Sequence, residues 1–100
     1  MAVVYIQEFP ISDRSTQNYD YVAGKVGEGP FEGLIVHTAG FDDEASVFRI
    51  LDVWETREQA ERFLAEHVQP IVDEGTLPNM DAAVAPTREG YYALHHVVGS

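Results

Sequence analysis

The sequence contains no cysteine, and this absence excludes three kinds of chemistry. Without a thiol the chain can form no disulfide, offer no thiol nucleophile and bind no metal through thiolate ligands. Because disulfide usage is the usual indicator of compartment, the redox environment stays open. Four histidines are present, and they are the natural candidates for metal or proton chemistry.

Basic residues are also scarce, with 6 Lys and Arg against 17 Asp and Glu and a formal net charge of −11. Nucleic-acid binding depends largely on Lys and Arg neutralising phosphates. Anionic membrane surfaces attract basic proteins for the same reason. The charge therefore predicts no nucleic-acid partner and no membrane partner. The simplest role for so many acidic side chains is to keep the protein soluble.

Long hydrophobic runs are missing, and no stretch approaches the roughly 20 apolar residues that span a bilayer. The chain shows no internal repeat and no low-complexity segment. With 100 residues it is expected to form a single domain over residues 1–100. The expected location is the cytoplasm.

Six segments have the patterns of regular structure. Four read as strands and two as helices: strands Ala2–Phe9, Leu34–Ala39, Ser46–Glu55 and Gly90–Val98, and helices Thr16–Val26 and the stretch after Thr56. Thr56 with Gln59 has the spacing of a capping box, which starts the second helix. Pro70 should end or kink that helix, because its ring clashes with the preceding turn.

This strand–helix–strand–strand–helix–strand order is that of the α+β ferredoxin-like fold. It predicts four antiparallel strands, in the spatial order fourth, first, third, second, with both helices on one face. Both faces of the first and last strands look apolar or aromatic. We therefore expect the face without helices to be covered by a second copy of the chain, giving a homodimer through the open sheet face.

The hairpin in the middle of the chain sets which side chains share a face. A loop at Gly40–Ala45 would place His37 opposite Phe48 and Ile35 opposite Ile50. The aliphatic face of this hairpin is expected to pack on the helices, and it comprises Leu34, Val36, Val47, Leu51 and Val53. The other face is expected to look towards the partner subunit and any cavity there, and it comprises His37, Ile50, Asp52 and Trp54.

The four histidines do not form a metal site in this fold. His37 and the pair His95–His96 lie on opposite edges of the predicted sheet, roughly 14 Å apart over three strand spacings. Metal–histidine bonds are about 2 Å long, so one ion cannot reach both edges. His95 and His96 are neighbours on a strand and point to opposite faces. No metal is therefore expected.

The segment DVWETREQAERFLAEHVQPIV (52–72), together with the chain length and element order, resembles the dimeric α+β barrel proteins. Within them it is most similar to antibiotic-biosynthesis-monooxygenase-like domains, on Val53–Thr56 followed by Phe63 and His67. The resemblance implies a pocket between the open sheet face and overhanging helices or loops. It also implies activities that include cofactor-free oxygenation of aromatic polyketides, haem degradation, cyclisation and isomerisation.

Haem degradation in a related subfamily is expected to use an Asn on the first strand and a Trp and a His on the second helix. This sequence has Gln7 on the first strand, and Phe63 and His67 on the helix. Gln7 and Phe63 depart from that pattern, whereas His67 matches it. The sequence therefore argues against haem as the substrate.

The function that follows is a small cytoplasmic, cofactor-independent, monooxygenase-like protein acting on a hydrophobic aromatic or polyketide-like molecule. His37 is the candidate catalytic base, with its pKa tuned by Asp52. Tyr5, Asp52, Trp54 and His95 are the candidate substrate-binding residues. Each also has a purely structural explanation, such as a half-buried strand histidine or a core tryptophan. The alternative is a non-catalytic small-ligand-binding or dimerisation module.

Overall fold

The computed structural model describes residues 2–11, 14–80 and 83–98. The strands are β1 (Val3–Pro10), β2 (Leu34–Asp42), β3 (Val47–Trp54) and β4 (Arg88–Ala93). The first helix is α1 (Gln17–Val26), between β1 and β2. The second helical region consists of α2 (Arg57–Phe63), a π-helical turn (Leu64–Val68) and α3 (Gln69–Asp73). The predicted order of strands and helices is confirmed.

The four strands form one antiparallel sheet in the order β2-β3-β1-β4, which is the predicted spatial order. The central strand β1 pairs with β3 on one side and with β4 on the other. Tyr5 therefore lies directly between Asp52 on β3 and Tyr91 on β4. The fold is the ferredoxin-like α+β fold.

The second helical region begins where the sequence predicts. The Thr56 hydroxyl accepts the backbone N–H of Gln59 at 3.2 Å, which satisfies one of the free donors of the first turn. Pro70 does not end the helix; it lies in the first turn of α3, directly after the π-helical turn. A π turn changes the hydrogen-bond register of a helix, and such turns are a known cause of helix kinks.

The predicted hairpin register is wrong. Strand β2 continues to Asp42, and the loop is the tight turn 43–46, where the N–H of Ala45 binds the Asp42 carboxylate at 3.1 Å. As a consequence His37 lies opposite Asp52, whereas Phe48 lies opposite Phe41. The loop is shorter than predicted and lies later in the chain, because the Asp42 side chain binds a nearby backbone N–H group and closes a tight turn.

The predicted direction of the two hairpin faces is also wrong. His37 is hydrogen-bonded to Tyr19 on α1, and the Trp54 ring lies 5.2 Å from the Phe63 ring of α2. These two side chains therefore face the helices and not the open side of the sheet. The aliphatic set that includes Val36 and Val53 faces the open side, except for Leu34.

Leu34 alone of the aliphatic set faces the helices, as predicted, and it is separated from the others because β2 contains a bulge. The pairing advances by two residues on β2, from Leu34 to Val36, while it moves by only one residue on β3. The extra residue, Ile35, breaks the simple alternation of side chains. Leu34 therefore joins His37 on the helix side of the sheet.

The last strand lies earlier in the chain than predicted. Strand β4 spans Arg88–Ala93, so it gains Arg88 and Glu89 and ends before the two histidines. His95 and His96 are exposed and follow the strand. The expected position of His95 on a sheet face is therefore wrong.

A cluster of buried core residues lies between the sheet and the second helical region. Trp54 is 1% exposed, Tyr5 3% and Ala60 0%. Partly buried hydrophobic residues pack around them: Val3, Phe31, Leu34, Phe63, Leu64 and Tyr91. In the part of the chain that the structure describes, no helix combines the length and apolarity needed to cross a membrane.

The open face of the sheet is largely aliphatic, with a charged edge. Val36 and Tyr92 on this face are 44% and 46% exposed. At one end, Arg49 binds the carboxylate of Glu8 at 2.7 Å and that of Asp42 at 2.8 Å. An apolar centre with a polar border is the composition of many protein–protein contact surfaces.

Candidate functional site

A cavity of about 1330 Å³ lies on the helix side of the sheet. It extends from the strands to α1, the second helical region and the connection that precedes β4. Its wall is rich in aromatic side chains: Tyr5, Phe9, Tyr19, Phe31, Phe41, Phe48, Trp54 and Phe63. Small-molecule sites usually combine such an apolar wall with a few placed polar groups.

Four polar or aromatic side chains cross the sheet at one level, and three of them, Tyr5, His37 and Asp52, line the cavity. Strand pairing aligns His37 on β2 with Asp52 on β3, Tyr5 on β1 and Tyr91 on β4. Residues opposite one another in antiparallel strands project to the same face, with Cβ atoms about 5 Å apart. The sheet therefore presents a continuous row of titratable groups towards the helices.

Tyr19, His37 and Asp52 form a hydrogen-bonded chain. His37 Nδ1 lies 2.5 Å from Asp52 Oδ1, and His37 Nε2 lies 2.6 Å from the Tyr19 hydroxyl. Asp52 is only 6% exposed. When Nδ1–H donates to the carboxylate, Nε2 of the neutral ring accepts the hydrogen bond of Tyr19. We call these three residues the relay.

Two members of the relay, His37 and Tyr19, have perturbed pKa values. The hydrogen bond to Asp52 raises the pKa of His37, and partial burial opposes that rise. Burial raises the pKa of Tyr19, and the charges of Asp52 and Asp20 add to the effect. Tyr19 therefore resists becoming a phenolate, whereas His37 holds a proton more firmly than an isolated imidazole.

A second polar group lies on the β4 side of the cavity. The Tyr5 hydroxyl donates a short hydrogen bond to Glu89 Oε2, and Gln7 Nε2 donates to the same oxygen at 3.1 Å. Burial, followed by the contact with Glu89, raises the pKa of Tyr5. Tyr5 is therefore a fixed neutral donor. We call Tyr5, Gln7 and Glu89 the carboxylate cluster.

The cavity carries more negative than positive groups. Its lining includes the carboxylates of Glu28, Asp52 and Glu89, and one guanidinium, that of Arg14. Arg14 binds Asp43 at 2.5 Å and lies 4.3 Å above the Phe41 ring. The only lining Arg is thus already engaged by a carboxylate, in the part of the chain that the structure describes.

The structure brings four of the five predicted site residues together: His37, Tyr5, Asp52 and Trp54 line the cavity. His95 lies outside it. Sequence reasoning missed Tyr19 and Glu89 as site residues. Tyr19 has the same helical spacing as Val22 and Val26. It was therefore assigned to the apolar face of the helix, and its hydroxyl group was overlooked. Glu89 was missed because the last strand was predicted to begin at Gly90, whereas it begins at Arg88.

No group of three or more His, Asp or Glu side chains is placed to hold a metal ion within residues 2–11, 14–80 and 83–98. His67 packs against aromatic rings, 5.4 Å from Phe63 and 5.7 Å from Phe31. Gln7 donates to Glu89 in the carboxylate cluster. Phe63 and His67 are therefore engaged with each other, and Gln7 is engaged with Glu89.

The fold has close counterparts among solved structures. A protein from Chloroflexus aurantiacus J-10-fl, named provisionally as an antibiotic biosynthesis monooxygenase, superposes with a TM-score of 0.67 at 13% identity, over 99% of this chain and 98% of that chain. A mutant of SnoaB, a cofactor-independent oxygenase from Streptomyces nogalater, gives 0.64 at 16% identity, again over 99% and 98%. This chain has their fold.

The resemblance to antibiotic biosynthesis monooxygenase-like proteins that the sequence indicates is thereby confirmed at the level of the fold. No protein-family model matches the sequence, and no curated protein sequence matches it. At identities of 13% and 16% the likeness carries the architecture and not the chemistry. The chemistry must be argued from the cavity itself.

Proposed function

We propose that this protein is a cofactor-independent, monooxygenase-like enzyme acting on a hydrophobic aromatic or polyketide-like molecule in the helix-side cavity. The observation that carries the proposal is the relay of Tyr19, His37 and Asp52 in an aromatic wall. An aromatic wall suits a flat, apolar substrate. The relay supplies a proton acceptor whose orientation is fixed by a buried carboxylate.

The relay would accept a substrate proton in two coupled transfers. The Tyr19 oxygen takes the proton from an acidic CH or OH of the substrate while the Tyr19 proton moves to His37 Nε2. Coupling is needed because burial raises the pKa of Tyr19 and disfavours a free phenolate. Asp52 stabilises the imidazolium that results and holds the ring in place.

The remaining chemistry belongs to the substrate and dioxygen. The substrate anion gives one electron to O₂, and the two radicals combine to form a carbon–oxygen bond. The peroxide takes back the proton, and loss of water breaks the O–O bond and leaves a carbonyl. In sum, a CH₂ group and O₂ become C=O and water. The protein contributes orientation and the exclusion of bulk water.

The second candidate is a non-catalytic small-ligand-binding module. It is favoured by one observation, namely that the Tyr19 hydroxyl already occupies His37 Nε2 at 2.6 Å. A base that is capped in this way can act only through Tyr19 or after Tyr19 moves. A binding protein would use the same groups merely to anchor a polar end of its ligand.

Oxygen consumption separates the two candidates. We expect uptake of dissolved O₂ with hydroxylated tricyclic aromatic ketones that carry an acidic ring CH₂. The product should gain one oxygen atom and lose two hydrogen atoms, as measured by mass spectrometry. A blank reaction gives the spontaneous rate. Saturable binding of these compounds with uptake no faster than the blank would contradict the enzyme and favour the binding module.

We also propose that a second copy of the chain covers the open sheet face and that the protein works in the cytoplasm. Support for the dimer comes from the aliphatic face, where Val36 is 44% and Tyr92 46% exposed. Leaving such a surface in water is unfavourable by about 25 cal/mol per Å². The absence of nucleic-acid and membrane partners stays a prediction from the charge.

The dimer has a direct test in solution. We expect the wild-type protein to sediment at about twice its mass of 11.1 kDa, and Val36→Glu to shift it towards the monomer, because a buried unpaired charge is costly. Met80→Glu is the matched control, since Met80 is 53% exposed and lies outside the sheet. A wild-type protein that sediments as a monomer at high concentration would overturn the proposal.

A further inference from the structure

The carboxylate cluster contains a free acceptor on the side of the cavity away from the relay. Both hydrogen bonds that the described residues make to Glu89 go to Oε2, from Tyr5 and from Gln7. A carboxylate can accept about four hydrogen bonds over its two oxygens. Oε1 therefore retains its capacity to accept a hydrogen bond from a ligand.

Among the described residues Glu89 also has no cationic partner to neutralise it. None of the ion pairs found within residues 2–11, 14–80 and 83–98 involves Glu89. The guanidinium of Arg57 lies 4.4 Å above the Tyr91 ring and forms an ion pair with Glu61. The two donors on Glu89 are neutral and leave its charge in place.

The rest of the cavity does not compensate for this charge. The positive charge of a protonated His37 is balanced by Asp52 at 2.5 Å, and that of Arg14 by Asp43 at 2.5 Å. Glu28 adds another carboxylate to the lining. A ligand carboxylate would thus meet uncompensated negative charge, whereas a ligand hydroxyl would meet an acceptor.

We propose that Glu89 sets the specificity of the cavity, selecting neutral aromatic ligands with a hydroxyl group and rejecting ligands that carry a carboxylate. The hydroxyl donates to Glu89 Oε1, with Tyr5 and Gln7 holding the carboxylate in position. This inference rests on the cavity being the ligand site of the proposed function. It adds the chemical class of the ligand and a specificity-determining residue.

The test compares two ligands with the same ring system, 2-naphthol and 2-naphthoate, by titration calorimetry at neutral pH. We expect the naphthoate to bind about tenfold more weakly, because unit charges of like sign repel at short range even though Glu89 is exposed and water screens part of the repulsion. Glu89→Gln keeps the size of the side chain and removes the charge. It should bring the two affinities to within about threefold, chiefly by strengthening the binding of naphthoate.

Glu66→Gln is the matched control, since Glu66 is exposed on the π-helical turn and does not line the cavity. It should preserve the wild-type preference. High salt should strengthen naphthoate binding to the wild type by screening, an effect that needs no variant. Each of three results would overturn the inference. The wild type could bind both ligands equally, Glu89→Gln could keep the wild-type preference, or neither ligand could bind.

The outcomes separate this inference from the proposed oxygenase. A preference that depends on Glu89, together with no oxygen uptake, supports the specificity and contradicts the oxygenase. Oxygen uptake that is equally efficient with carboxylate-bearing and neutral substrates contradicts the specificity and supports the oxygenase.

Discussion

Replacing His37 with glutamine should lower the rate of oxygen uptake by about 10²- to 10⁴-fold, the usual contribution of a positioned acid–base group. Glutamine can still hydrogen-bond to Asp52 or Tyr19, but it cannot accept the proton at neutral pH. Tyr19→Phe should give a loss of similar size, because it removes the oxygen that links the substrate to Nε2. The measurement is the initial rate of O₂ consumption at saturating substrate.

The pH profile gives a second signature of the relay. Asp52 raises the pKa of His37, so the neutral, proton-accepting ring becomes dominant only above the ordinary histidine pKa of about 6.5. The rate should therefore rise with pH, with a midpoint above that value, and Asp52→Asn should move the midpoint down. The same contact stabilises the fold fully below about pH 6.5, and this contribution fades as pH rises through the pKa of folded His37.

His96→Gln is the matched control for both measurements, because His96 is exposed and lies outside the cavity. It should leave the rate and the profile unchanged. A His37→Gln protein that is folded, binds substrate and retains the wild-type rate would sink the proposed base. A midpoint that Asp52→Asn does not move would remove Asp52 from the relay.

Trp54→Ala should destabilise the protein by about 3–5 kcal/mol, the range for truncating a large buried aromatic residue. Trp54 is 1% exposed and contacts the Phe63 ring at a centroid distance of 5.2 Å. A domain of this size has a total stability of only about 5–15 kcal/mol. The expected loss is therefore a large fraction of the total stability. Urea denaturation followed by circular dichroism measures the change in the free energy of unfolding.

Trp54→Phe distinguishes packing from hydrogen bonding. Trp54 Nε1 is buried and has no hydrogen-bond partner among the described residues, so phenylalanine removes volume without breaking a hydrogen bond. Its cost should be clearly smaller than that of alanine. Met80→Ala, at a residue 53% exposed and outside the sheet, is the surface comparison. A loss below about 1 kcal/mol for Trp54→Ala would mean that Trp54 is not the centre of the core.

The sequence was sufficient to predict the order of elements and the strand order, since these follow from hydrophobic periodicity and turn residues. The cap at Thr56 was predictable for the same reason, because capping depends on a few neighbouring residues. The cavity was harder to predict from the sequence. The Tyr19–His37 contact joins residues 18 positions apart across two elements, and no local pattern encodes it.

The reversed faces have a physical explanation. A search for the core selects the more aliphatic face of the hairpin, which includes Val36 and Val53. The helix side is instead rich in aromatic and polar groups because it encloses a cavity rather than a solid interior. The hydrophobicity of a face indicates how strongly its burial is favoured. It does not indicate whether a helix or another chain buries that face.

The bulge at Ile35 has a consequence for how β2 can change. In a regular strand two residues separated by an odd number of positions project to opposite sides. Leu34 and His37 are three positions apart, yet they share the cavity because one residue is inserted between them. Deleting Ile35 would make the strand regular and leave His37 opposite Asp52, inside the cavity. Pairing Ile35 regularly, opposite Val53, would instead move His37 opposite Leu51, on the outside. The register of β2 therefore determines whether His37 faces the cavity or the open side of the sheet.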